Sequence, residues 1–423
     1  MTEPRIHDVT VRHATSARAR TARHSRATTH RTRTALRGTA IAATALLAFG
    51  VGTAAATYTR ISGNVNHADI SALVGDEPRP TKSSNPEDPN AGKDVNILLL
   101  GSDQRDGENG EIGGDVTAGM RSDTTIVLHI SADRSRVEAI SIPRDSMVEI
   151  PSCKLSNGKR TGATFGMFNS AFALGWDQGG DIASAAGCTW RTVEKNTGVH
   201  IDHSVVVDFA GFEKMVNSLG GVPICIPNEM IAKKAKLHLQ AGNQTLNGKE
   251  ALGFARARTG TGVGDGSDTN RIGRQQQLIA AMVKAILSKN VLTDAGQLLS
   301  LLGSATSSVT TDSDFSLTDM AGLAYTMRDI RGGNITFMTI PWGAYPADHN
   351  RVQWTAEAAT VWDRLAKDKP LDGESKPTPS KTSSATPGAT SPSTPKATPT
   401  PTESKQAGRE AFNLDDSTAS CSA

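Results

Sequence analysis

The segment Asp94-Val-Asn-Ile-Leu-Leu-Leu-Gly101 is a short apolar run that ends in glycine, the pattern of a buried β-strand. Two more apolar runs follow at 124–130 and 136–142, and helical and strand patterns then alternate up to a long helix predicted at 269–288. Such alternation predicts an α/β fold in which a sheet lies between layers of helices.

The region before this segment predicts a membrane anchor. Residues 1–37 carry nine arginines against two acidic residues and have no hydrophobic period, so we predict a disordered, Arg-rich tail. Residues 38–58 contain no charged side chain, and at about 1.5 Å per residue this length makes roughly one membrane crossing. The arginine excess before it predicts a single-pass protein of the cell membrane, with its N-terminus in the cytoplasm and the rest of the chain extracytoplasmic.

Three other interpretations of this region stay open. The Arg-rich tail could bind nucleic acid, the region could be an organelle transit peptide, and Thr53-Ala-Ala-Ala56 could hold a signal-peptidase cleavage site. The formal net charge of only +2 argues against a nucleic-acid-binding protein, so we predict no nucleic-acid partner.

The rest of the chain divides by composition. Residues 59–93 predict a stalk that ends in a polar, Pro-containing run, and residues 94–370 form the predicted extracytoplasmic domain, with its core at 94–290. From about residue 370 the chain turns to Pro, Ser, Thr and Lys, a composition that cannot bury a core. We therefore predict a disordered tail over 371–423.

Charged side chains gather where predicted strands end and where the long helix begins. Ligands of open α/β sheets bind at the carboxyl ends of the strands, and arginine suits bidentate contact with phosphate. The residues at these places are Asp103, Arg105, Arg121, Asp123, Arg144, Asp145, Arg256, Arg258, Asp268, Arg271, Arg274 and Gln275. Any one of them can be explained as a solvated strand end, but the joint pattern predicts a site for pyrophosphate or polyphosphate with Mg²⁺ held by carboxylates.

Other chemistries lack their signatures. The sequence has no G-x-S-x-G elbow, no G-x-x-x-x-G-K-[ST] loop, no H-E-x-x-H motif and no C-x-x-C pair. A serine hydrolase of that type, a P-loop nucleotidase and a structural zinc site are therefore not indicated.

An ordered set of short motifs follows the predicted anchor. The motifs are Asn96-Ile-Leu-Leu-Leu-Gly-Ser-Asp-Gln-Arg105, Arg121-Ser-Asp-Thr124, Ser141-Ile-Pro-Arg-Asp145, Phe168-Asn-Ser-Ala-Phe172, Asp208-Phe-Ala-Gly-Phe212 with Gly220-Gly-Val222, Arg256-x-Arg258, and Asp268-x-x-Arg271-x-x-Arg274-Gln-Gln276. Each motif is weak alone, but the ordered set is specific and resembles the LytR-CpsA-Psr (LCP) family of cell-wall glycopolymer transferases, actinobacterial type.

This resemblance implies a central mixed β-sheet flanked by helices, an α-β-α sandwich, behind a single N-terminal transmembrane helix. It also implies a phosphotransferase that moves a glycopolymer from a polyprenyl pyrophosphate carrier onto peptidoglycan outside the membrane, usually onto the 6-hydroxyl of N-acetylmuramic acid. The implied partners are the lipid-linked glycopolymer, the peptidoglycan acceptor and the membrane.

The motif match also carries over residue roles. It assigns Mg²⁺, with Mn²⁺ as an alternative, to Asp103 and Asp123, either of which could also help to deprotonate the acceptor hydroxyl. The residues that it assigns to the pyrophosphate are Arg105, Arg121, Arg144, Arg256, Arg258, Arg271 and Gln275. The predicted catalytic residues are Arg144, Arg256, Arg258, Asp103 and Asp123, and the predicted supporting residues are Asp145, Asp268 and Arg274.

Two further points concern this resemblance. The long Gly-rich stretch Thr259-Gly-Thr-Gly-Val-Gly-Asp-Gly-Ser267 departs from the family pattern, so Asp265 could replace Asp268 in the site. A lipid pocket between sheet and helices is also implied, and plain core packing is the alternative for each candidate. The candidates are Val127, Ile140, Phe165, Phe168, Phe172, Phe209, Phe212, Leu278 and Ile279.

The four cysteines agree with an oxidising compartment outside the membrane. Four cysteines allow three complete pairings. We predict one disulfide, Cys153–Cys188, and buried free thiols are the alternative.

Two other functions stay open. One is a pyrophosphatase or hydrolase of polyprenyl-pyrophosphate lipids, in which water replaces the sugar hydroxyl. The other is a non-catalytic, envelope-lipid-binding regulatory protein.

Overall fold

Strands and helices alternate along the chain. The computed structural model describes residues 66–74, 92–104, 108–113, 120–288, 303, 309–371, 405–416, 418 and 421. The strands are β1 (Asn66–Ala68), β2 (Val95–Ser102), β3 (Ser122–Ile130), β4 (Val137–Ile142), β5 (Met147–Ile150), β6 (Thr164–Met167), β7 (His203–Val207), β8 (Val222–Ile226), β9 (Met230–Ala232), β10 (Leu237–Leu239), β11 (Gly242–Leu246), β12 (Val309–Asp312), β13 (Ile335–Thr339), β14 (Trp342–Tyr345), β15 (Asp348–Trp354) and β16 (Phe412–Asn413). The helices are α1 (Ser71–Val74), α2 (Glu108–Gly113), α3 (Ser170–Gly179), α4 (Ile182–Thr197), α5 (Phe209–Ser218), α6 (Gly248–Arg256), α7 (Asp268–Ser288), α8 (Leu317–Thr326) and α9 (Ala356–Ala366).

The predicted Arg-rich tail (1–37) and anchor (38–58) lie outside the described residues, as does the Pro-rich run 372–404. Among the residues that are described, no helix is both long and apolar enough to cross a membrane.

The central sheet has eight strands in the order β1-β12-β7-β2-β3-β4-β13-β16. The pairs β1–β12, β7–β2 and β4–β13 run parallel, and the other neighbouring pairs run antiparallel. The sheet is therefore mixed, as the family resemblance implied.

Each face of the sheet carries its own apolar core, because side chains alternate along a strand. Leu98 of β2 and Trp190 of α4 belong to the first core, on one face of the sheet. Ile97 of β2 and Ala280 of α7 belong to the second core, on the other face. Helices thus cover both faces, which confirms the α-β-α sandwich.

A third core lies beside the sheet and shares helix α7 with it. It contains Val222 of β8, Leu246 of β11, Phe254 of α6 and Leu278 of α7. Helix α7 contributes Leu278 to this core and Ala280 to the core on the sheet, so it is held from two sides. Its N-terminal end reaches the site described below.

The segment 66–74 corrects the prediction of a stalk over 59–93. Strand β1 pairs with β12 at the edge of the sheet, and Ile70 and Val74 are buried in the first core. A three-residue strand and a one-turn helix are too short to give a periodic signal, and both depend on partners far along the chain.

The segment 405–421 corrects the prediction of disorder over 371–423. Strand β16 pairs with β13, where the Phe412 ring stacks on Phe337 with 5.3 Å between centroids. The backbone N–H of Gly408 donates to Gln276 Oε1 at 2.9 Å. The prediction of disorder followed from the Pro/Ser/Thr composition. It did not take into account Phe412 and Leu414, whose side chains are buried in the second core.

Two disulfides connect distant parts of the described chain. Cys153 and Cys188 are joined, as predicted, with 5.2 Å between their Cα atoms. Cys225 of β8 is joined to Cys421, with 5.7 Å between Cα atoms, and this second bond was not predicted.

Replacing Phe412 tests whether the C-terminal segment belongs to the fold. Phe412 is only 2% exposed, so Phe412→Ala leaves a cavity and is expected to lower the free energy of unfolding by about 3 kcal/mol. Urea unfolding of the full chain measures this change. The matched control is Phe165→Ala, which removes a ring that is 55% exposed and is expected to change stability little. Equal effects of the two substitutions would contradict the docking of this segment.

Candidate active site

The ends of three strands and the start of α7 meet at one edge of the sheet. Strand β3 runs antiparallel to β2 and β4, so its beginning lies beside their ends. This places Asp123 near Arg144 and Asp145, which follow β4, and helix α7 begins with Asp268 at the same edge.

Arg144 lies at the centre of the charged groups. Its Nη1 donates to Asp123 Oδ1 at 2.7 Å. Its Nε lies 3.5 Å from Asp145 Oδ2 and 3.5 Å from Asp268 Oδ1. One guanidinium therefore faces three carboxylates.

Two more arginines share these carboxylates. Arg271 Nη2 lies 2.6 Å from Asp268 Oδ1, and Arg271 Nη1 lies 3.6 Å from Asp123 Oδ2. Arg258 Nη2 lies 4.0 Å from Asp268 Oδ1. We call Asp123, Arg144, Asp145, Arg258, Asp268 and Arg271 the arginine–aspartate cluster.

The two central carboxylates differ in how strongly they hold a proton. Burial alone would raise the pKa of Asp123, but Arg271 and Arg144 outweigh it, and this pKa lies below its usual value. Burial also raises the pKa of Asp268, and there Arg271 and Arg144 offset only part of the effect, so the pKa lies above its usual value. Asp123 is thus the more firmly ionised of the two.

The cluster keeps unused hydrogen-bonding capacity. Both oxygens of Asp268 and the Nε atoms of Arg144 and Arg271 are buried without a hydrogen bond of good geometry among the described residues. Buried polar atoms normally have partners. Arg144 Nε and Asp268 Oδ1 face each other at 3.5 Å as an ion pair without a hydrogen bond, and Arg144 and Arg258 are the cluster arginines that line the cavity described next.

A cavity of about 510 Å³ opens beside the cluster. Arg144, Asp145, Arg258 and Asp268 of the cluster contribute to its lining, and so does the β14–β15 hairpin. The charged groups can therefore reach a bound molecule.

The two predicted metal ligands lie at the end of the β2–β3 pair. Asp103 N–H donates to the Arg121 carbonyl at 3.0 Å, and Arg121 N–H donates to Asp103 Oδ1 at 2.6 Å. No group of three or more His, Cys, Asp or Glu suited to a metal ion occurs among the described residues. Mg²⁺ needs only one or two carboxylates when water and substrate phosphates complete its shell, so Asp103 and Asp123 fit that type of site, although both Asp123 oxygens already face arginines.

Of the other predicted phosphate ligands, Arg256 and Arg121 lie outside the cluster. Arg256 lies over the Phe209 ring, 4.3 Å from its centroid, and its Nη1 donates to the Ile112 carbonyl at 3.4 Å. The side chain of Arg121 is exposed. Arg105 lies outside the described residues.

Arg274 and Gln275 hold helix α6 rather than facing the cavity. Buried Arg274 donates to the carbonyls of Phe254, Ala257 and Val263. Burial and the nearby Arg271 lower its pKa to about 10. Gln275 Nε2 donates to the Ala255 carbonyl of α6 at 3.4 Å. These bonds fix the backbone that carries Arg258 into the cluster.

The choice between Asp265 and Asp268 is decided by position. Asp265 is exposed in the Gly-rich loop, where its Oδ1 accepts hydrogen bonds from Ser267 N and Asn270 Nδ2. Asp268 is the residue that faces Arg144 and Arg271.

The candidate lipid-pocket residues do not line one cavity. Val127, Ile140, Phe168 and Phe172 are buried in the first core, Phe212 and Leu278 belong to the third core, and Ile279 belongs to the second. Phe165 is exposed, and Phe209 lies beneath Arg256. Core packing, the alternative interpretation, describes seven of the nine.

Sequence reasoning missed the β14–β15 hairpin. Trp342, Asn350 and Arg351 line the same cavity as the cluster, and Arg351 Nη1 lies 3.9 Å from Asp145 Oδ1. Their only local signal is a Tyr-Pro-Ala-Asp turn between two aromatic stretches, and it indicates a hairpin without indicating where the hairpin packs.

The fold and the cluster together define an α-β-α protein with an arginine-rich, carboxylate-flanked cavity at a sheet edge. Residues 57–367 match the LytR_cpsA_psr family model. The chain therefore belongs to the LytR-CpsA-Psr family.

Individual relatives are similar over more than half of this chain. Cell wall biosynthesis protein LcpA of Corynebacterium glutamicum is 30% identical over 266 residues, which cover 58% of this chain and 50% of the relative. Polyisoprenyl-teichoic acid–peptidoglycan teichoic acid transferase TagU of Oceanobacillus iheyensis is 33% identical over 54% of this chain and 63% of the relative. The chain thus spans about half to two thirds of the length of these relatives.

A solved structure shares the fold. The LytR-Csp2A-Psr enzyme from Actinomyces oris superposes with a TM-score of 0.52 at 22% identity, covering 71% of this chain and 96% of that chain.

The effects of Asp268→Asn and Asp123→Asn on the free energy of unfolding are expected to change with pH in opposite directions. A raised pKa means that the folded protein holds the Asp268 proton more tightly than the unfolded chain does. The resulting stability is present below about pH 3.8 and is lost as the pH rises through the folded pKa. Asp268→Asn therefore gains stability relative to wild type as the pH rises.

The contribution of Asp123 to stability depends on pH in the opposite direction. Its lowered pKa contributes stability above about pH 3.8 that is lost as the pH falls, so Asp123→Asn costs more near neutrality than in acid. Urea unfolding of both variants between about pH 3 and pH 7 measures the two trends. Trends of the same sign would contradict this assignment of the two carboxylates.

Proposed function

We propose that this chain is a phosphotransferase that moves a glycopolymer from a polyprenyl pyrophosphate carrier onto peptidoglycan. The observation that carries the proposal is the convergence of Arg144, Arg258 and Arg271 with carboxylates beside an open cavity. The names of the relatives support it, since LcpA is a cell wall biosynthesis protein and TagU is a teichoic acid transferase.

The reaction needs no covalent enzyme intermediate. An acceptor hydroxyl oxygen bonds to the phosphorus next to the glycopolymer, the bond from that phosphorus to the bridging oxygen breaks, and polyprenyl phosphate leaves. The hydroxyl proton is released in the same process. Phosphoryl transfer of this kind depends mainly on positioning and charge stabilisation, which arginines supply.

The residues of the cluster divide this work. Arg144 and Arg258 line the cavity, so in the proposed complex they bind the phosphate oxygens, whereas buried Arg271 holds Asp123 and Asp268 in place. Asp123 is the carboxylate that stays ionised, and it can accept a hydrogen bond from the incoming hydroxyl. Its low pKa suits orienting that hydroxyl better than removing its proton before bond formation.

We further propose that Asp103 and Asp123 hold Mg²⁺, which Mn²⁺ can replace. When bound, the ion neutralises charge on the phosphate oxygens. Asp103 lies at the same end of the β2–β3 pair as Asp123, so the two carboxylates can approach one ion.

The proposed place of the reaction is outside the cell membrane. Residues 38–58 would cross the membrane once, with the N-terminus in the cytoplasm and the catalytic domain outside. The two disulfides support an extracytoplasmic domain, because such bonds persist in oxidising compartments.

Release of polyprenyl phosphate tests the transferase. The purified full chain in detergent is given a short-chain polyprenyl-pyrophosphate-linked saccharide and a peptidoglycan oligomer. We expect saccharide joined to the oligomer, and a rate at least about 100-fold lower in Arg144→Ala, which loses a charge-stabilising donor, and in Asp123→Ala. Arg328→Ala is the matched control, because Arg328 contacts Tyr325 outside the cluster.

The products distinguish the alternatives. Release without a joined product would indicate a hydrolase, and binding of the lipid without any release would indicate a non-catalytic envelope-lipid-binding protein. Either result would overturn the proposal.

Removing the metal tests the proposed ion. We expect EDTA to abolish release and Mg²⁺ or Mn²⁺ to restore it. Asp103→Asn is expected to need about tenfold more Mg²⁺ for half-maximal rate, because it loses a ligand charge. Asp329→Asn, which changes an exposed carboxylate outside the cluster, is the control. Full activity in EDTA, or an unchanged Mg²⁺ requirement of Asp103→Asn, would refute these ligands.

A further inference from the structure

Two neighbouring hairpins leave aromatic rings in contact with water. Among the described residues, Phe165 of β6 and Tyr325 of α8 are the large apolar side chains that are exposed, by 55% and 46%. The Phe165 ring lies 6.4 Å from the Tyr345 ring of β14, between centroids, so the β5–β6 and β14–β15 hairpins meet here. Pro346 and Ala347, which follow Tyr345, are exposed as well. We call Phe165, Tyr345, Pro346 and Ala347 the hairpin surface, and exposed apolar surfaces of this kind often mark an interaction site.

The loop that leads into β6 is positively charged. Residues 154–165 contain two lysines and one arginine and no acidic residue. These three basic residues, Lys154, Lys159 and Arg160, are all exposed. Lys154 forms a β-bridge with Arg160, and the Cys153–Cys188 disulfide fixes the start of the loop. The positive charges are therefore held close to the hairpin surface.

The acidic residues next to the two rings already face cations. Each ring has a carboxylate opposite it on the paired strand, Glu149 in β5 and Asp348 in β15. Lys195 Nζ lies 3.7 Å from the Glu149 carboxylate, and Arg351 Nε lies 3.8 Å from the Asp348 carboxylate. These pairs cancel locally, so the basic loop sets the sign of the charge beside the hairpin surface.

Both hairpins are joined to the candidate active site. After β6, the N–H groups of Phe168 and Asn169 donate to the Ser146 and Arg144 carbonyls at 2.8 and 3.1 Å. The β14–β15 hairpin contributes Trp342 to the lining of the cavity beside the cluster. A partner bound at the hairpin surface would therefore lie close to that cavity.

A lipid bilayer is the partner that fits these features. Aromatic rings beside lysine and arginine are typical of protein surfaces that lie at the membrane interface, and anionic lipids attract basic side chains. The basic loop also contacts α1, where Lys154 Nζ donates to the Ala72 carbonyl at 3.1 Å. In the proposed topology only residues 59–65 separate the membrane span from β1, and seven residues extend over at most about 25 Å.

We infer that the hairpin surface, with Lys159 and Arg160, docks on the outer surface of an anionic lipid bilayer and brings the cavity to the level of the lipid headgroups. The inference rests on the proposed function, because the pyrophosphate of a lipid-linked donor lies at that level. Docking adds a second membrane contact to the predicted anchor and gives Phe165 and Tyr345 a role that core packing does not.

A fluorescent probe at position 165 tests the docking in the full chain. The four native cysteines are paired, so Phe165→Cys can be labelled selectively with the environment-sensitive fluorophore NBD. In phosphatidylglycerol nanodiscs we expect a blue-shifted emission that brominated acyl chains quench. The matched control is Tyr325→Cys, since α8 packs on the second core and β5 on the first, and its probe is expected to stay unquenched.

Two results with these probes would overturn the inference. One is equal quenching at positions 165 and 325, or none at either. The other is a blue shift at position 165 that peptidoglycan oligomers cause in detergent and lipid discs do not, which would assign the hairpin surface to a glycan.

Charge variants of the labelled chain test the basic loop. Lys159→Gln and Arg160→Gln are each expected to lower the ratio of docked to undocked probe about fivefold in phosphatidylglycerol discs, and to have little effect in neutral phosphatidylcholine discs. Arg328→Gln, beside Tyr325, is the control and is expected to match the parent. Unchanged quenching in both loop variants would refute the role of these charges.

Kinetics separate failure of the docking from failure of the transferase. Phe165→Asp is expected to raise the KM for a long-chain lipid-linked saccharide in discs about fivefold, and to leave transfer from the short-chain substrate in detergent unchanged. Transfer with an unchanged KM in discs would refute docking alone. A docked probe in a chain that transfers nothing would refute the proposed reaction alone.

Discussion

The convergence of three arginines on one sheet edge is the constraint that shapes this site. Arg144, Arg258 and Arg271 would repel one another if they were brought together alone, and buried charge is costly unless it is paired. Asp268 lies within ion-pair distance of all three, at 3.5, 4.0 and 2.6 Å. Asp268 therefore supplies the negative charge that allows the three guanidinium groups to lie together.

This balance depends on where helix α7 begins, and α7 is positioned by segments from far along the chain. Gln276 donates to Ser141 Oγ and Thr339 Oγ1 in the sheet and accepts from Gly408. Gly273 has no room for a side chain, since a Cβ there would lie 2.4 Å from the Ala407 carbonyl. The C-terminal segment therefore packs directly on the backbone of the helix that carries Asp268 and Arg271.

Much of the fold follows from local pattern, and the rest follows from contacts between distant segments. The apolar runs of β2, β3 and β4 and the long helix α7 were predicted to within two residues, because burial on a sheet or helix face imposes a period that local sequence shows. Segments 66–74 and 405–421 were mispredicted because their few apolar residues have meaning only beside β12 and β13.

The candidate site also depends partly on local pattern and partly on contacts between distant segments. Motif order predicted every member of the cluster, but spacing alone could not separate Arg256 from Arg258, which are two residues apart. Arg256 is the last residue of α6 and lies over Phe209, whereas Arg258 follows the helix and reaches Asp268. The Arg274 bonds to Phe254, Ala257 and Val263 decide this divergence, and they join residues that no local period relates.

One short backbone segment ties the parts of the site together. Three successive carbonyls after β4 accept hydrogen bonds from three places: Arg144 from Asn169 N–H, Asp145 from Val352 N–H, and Ser146 from Phe168 N–H. Arg144, the β14–β15 hairpin and the start of α3 are thus fixed to consecutive peptide groups. In the proposed transfer, the phosphate and the incoming hydroxyl must keep one distance, since much of the rate of such reactions comes from positioning. Joining Arg144 and the cavity-lining hairpin to one strand end would serve that requirement with few residues.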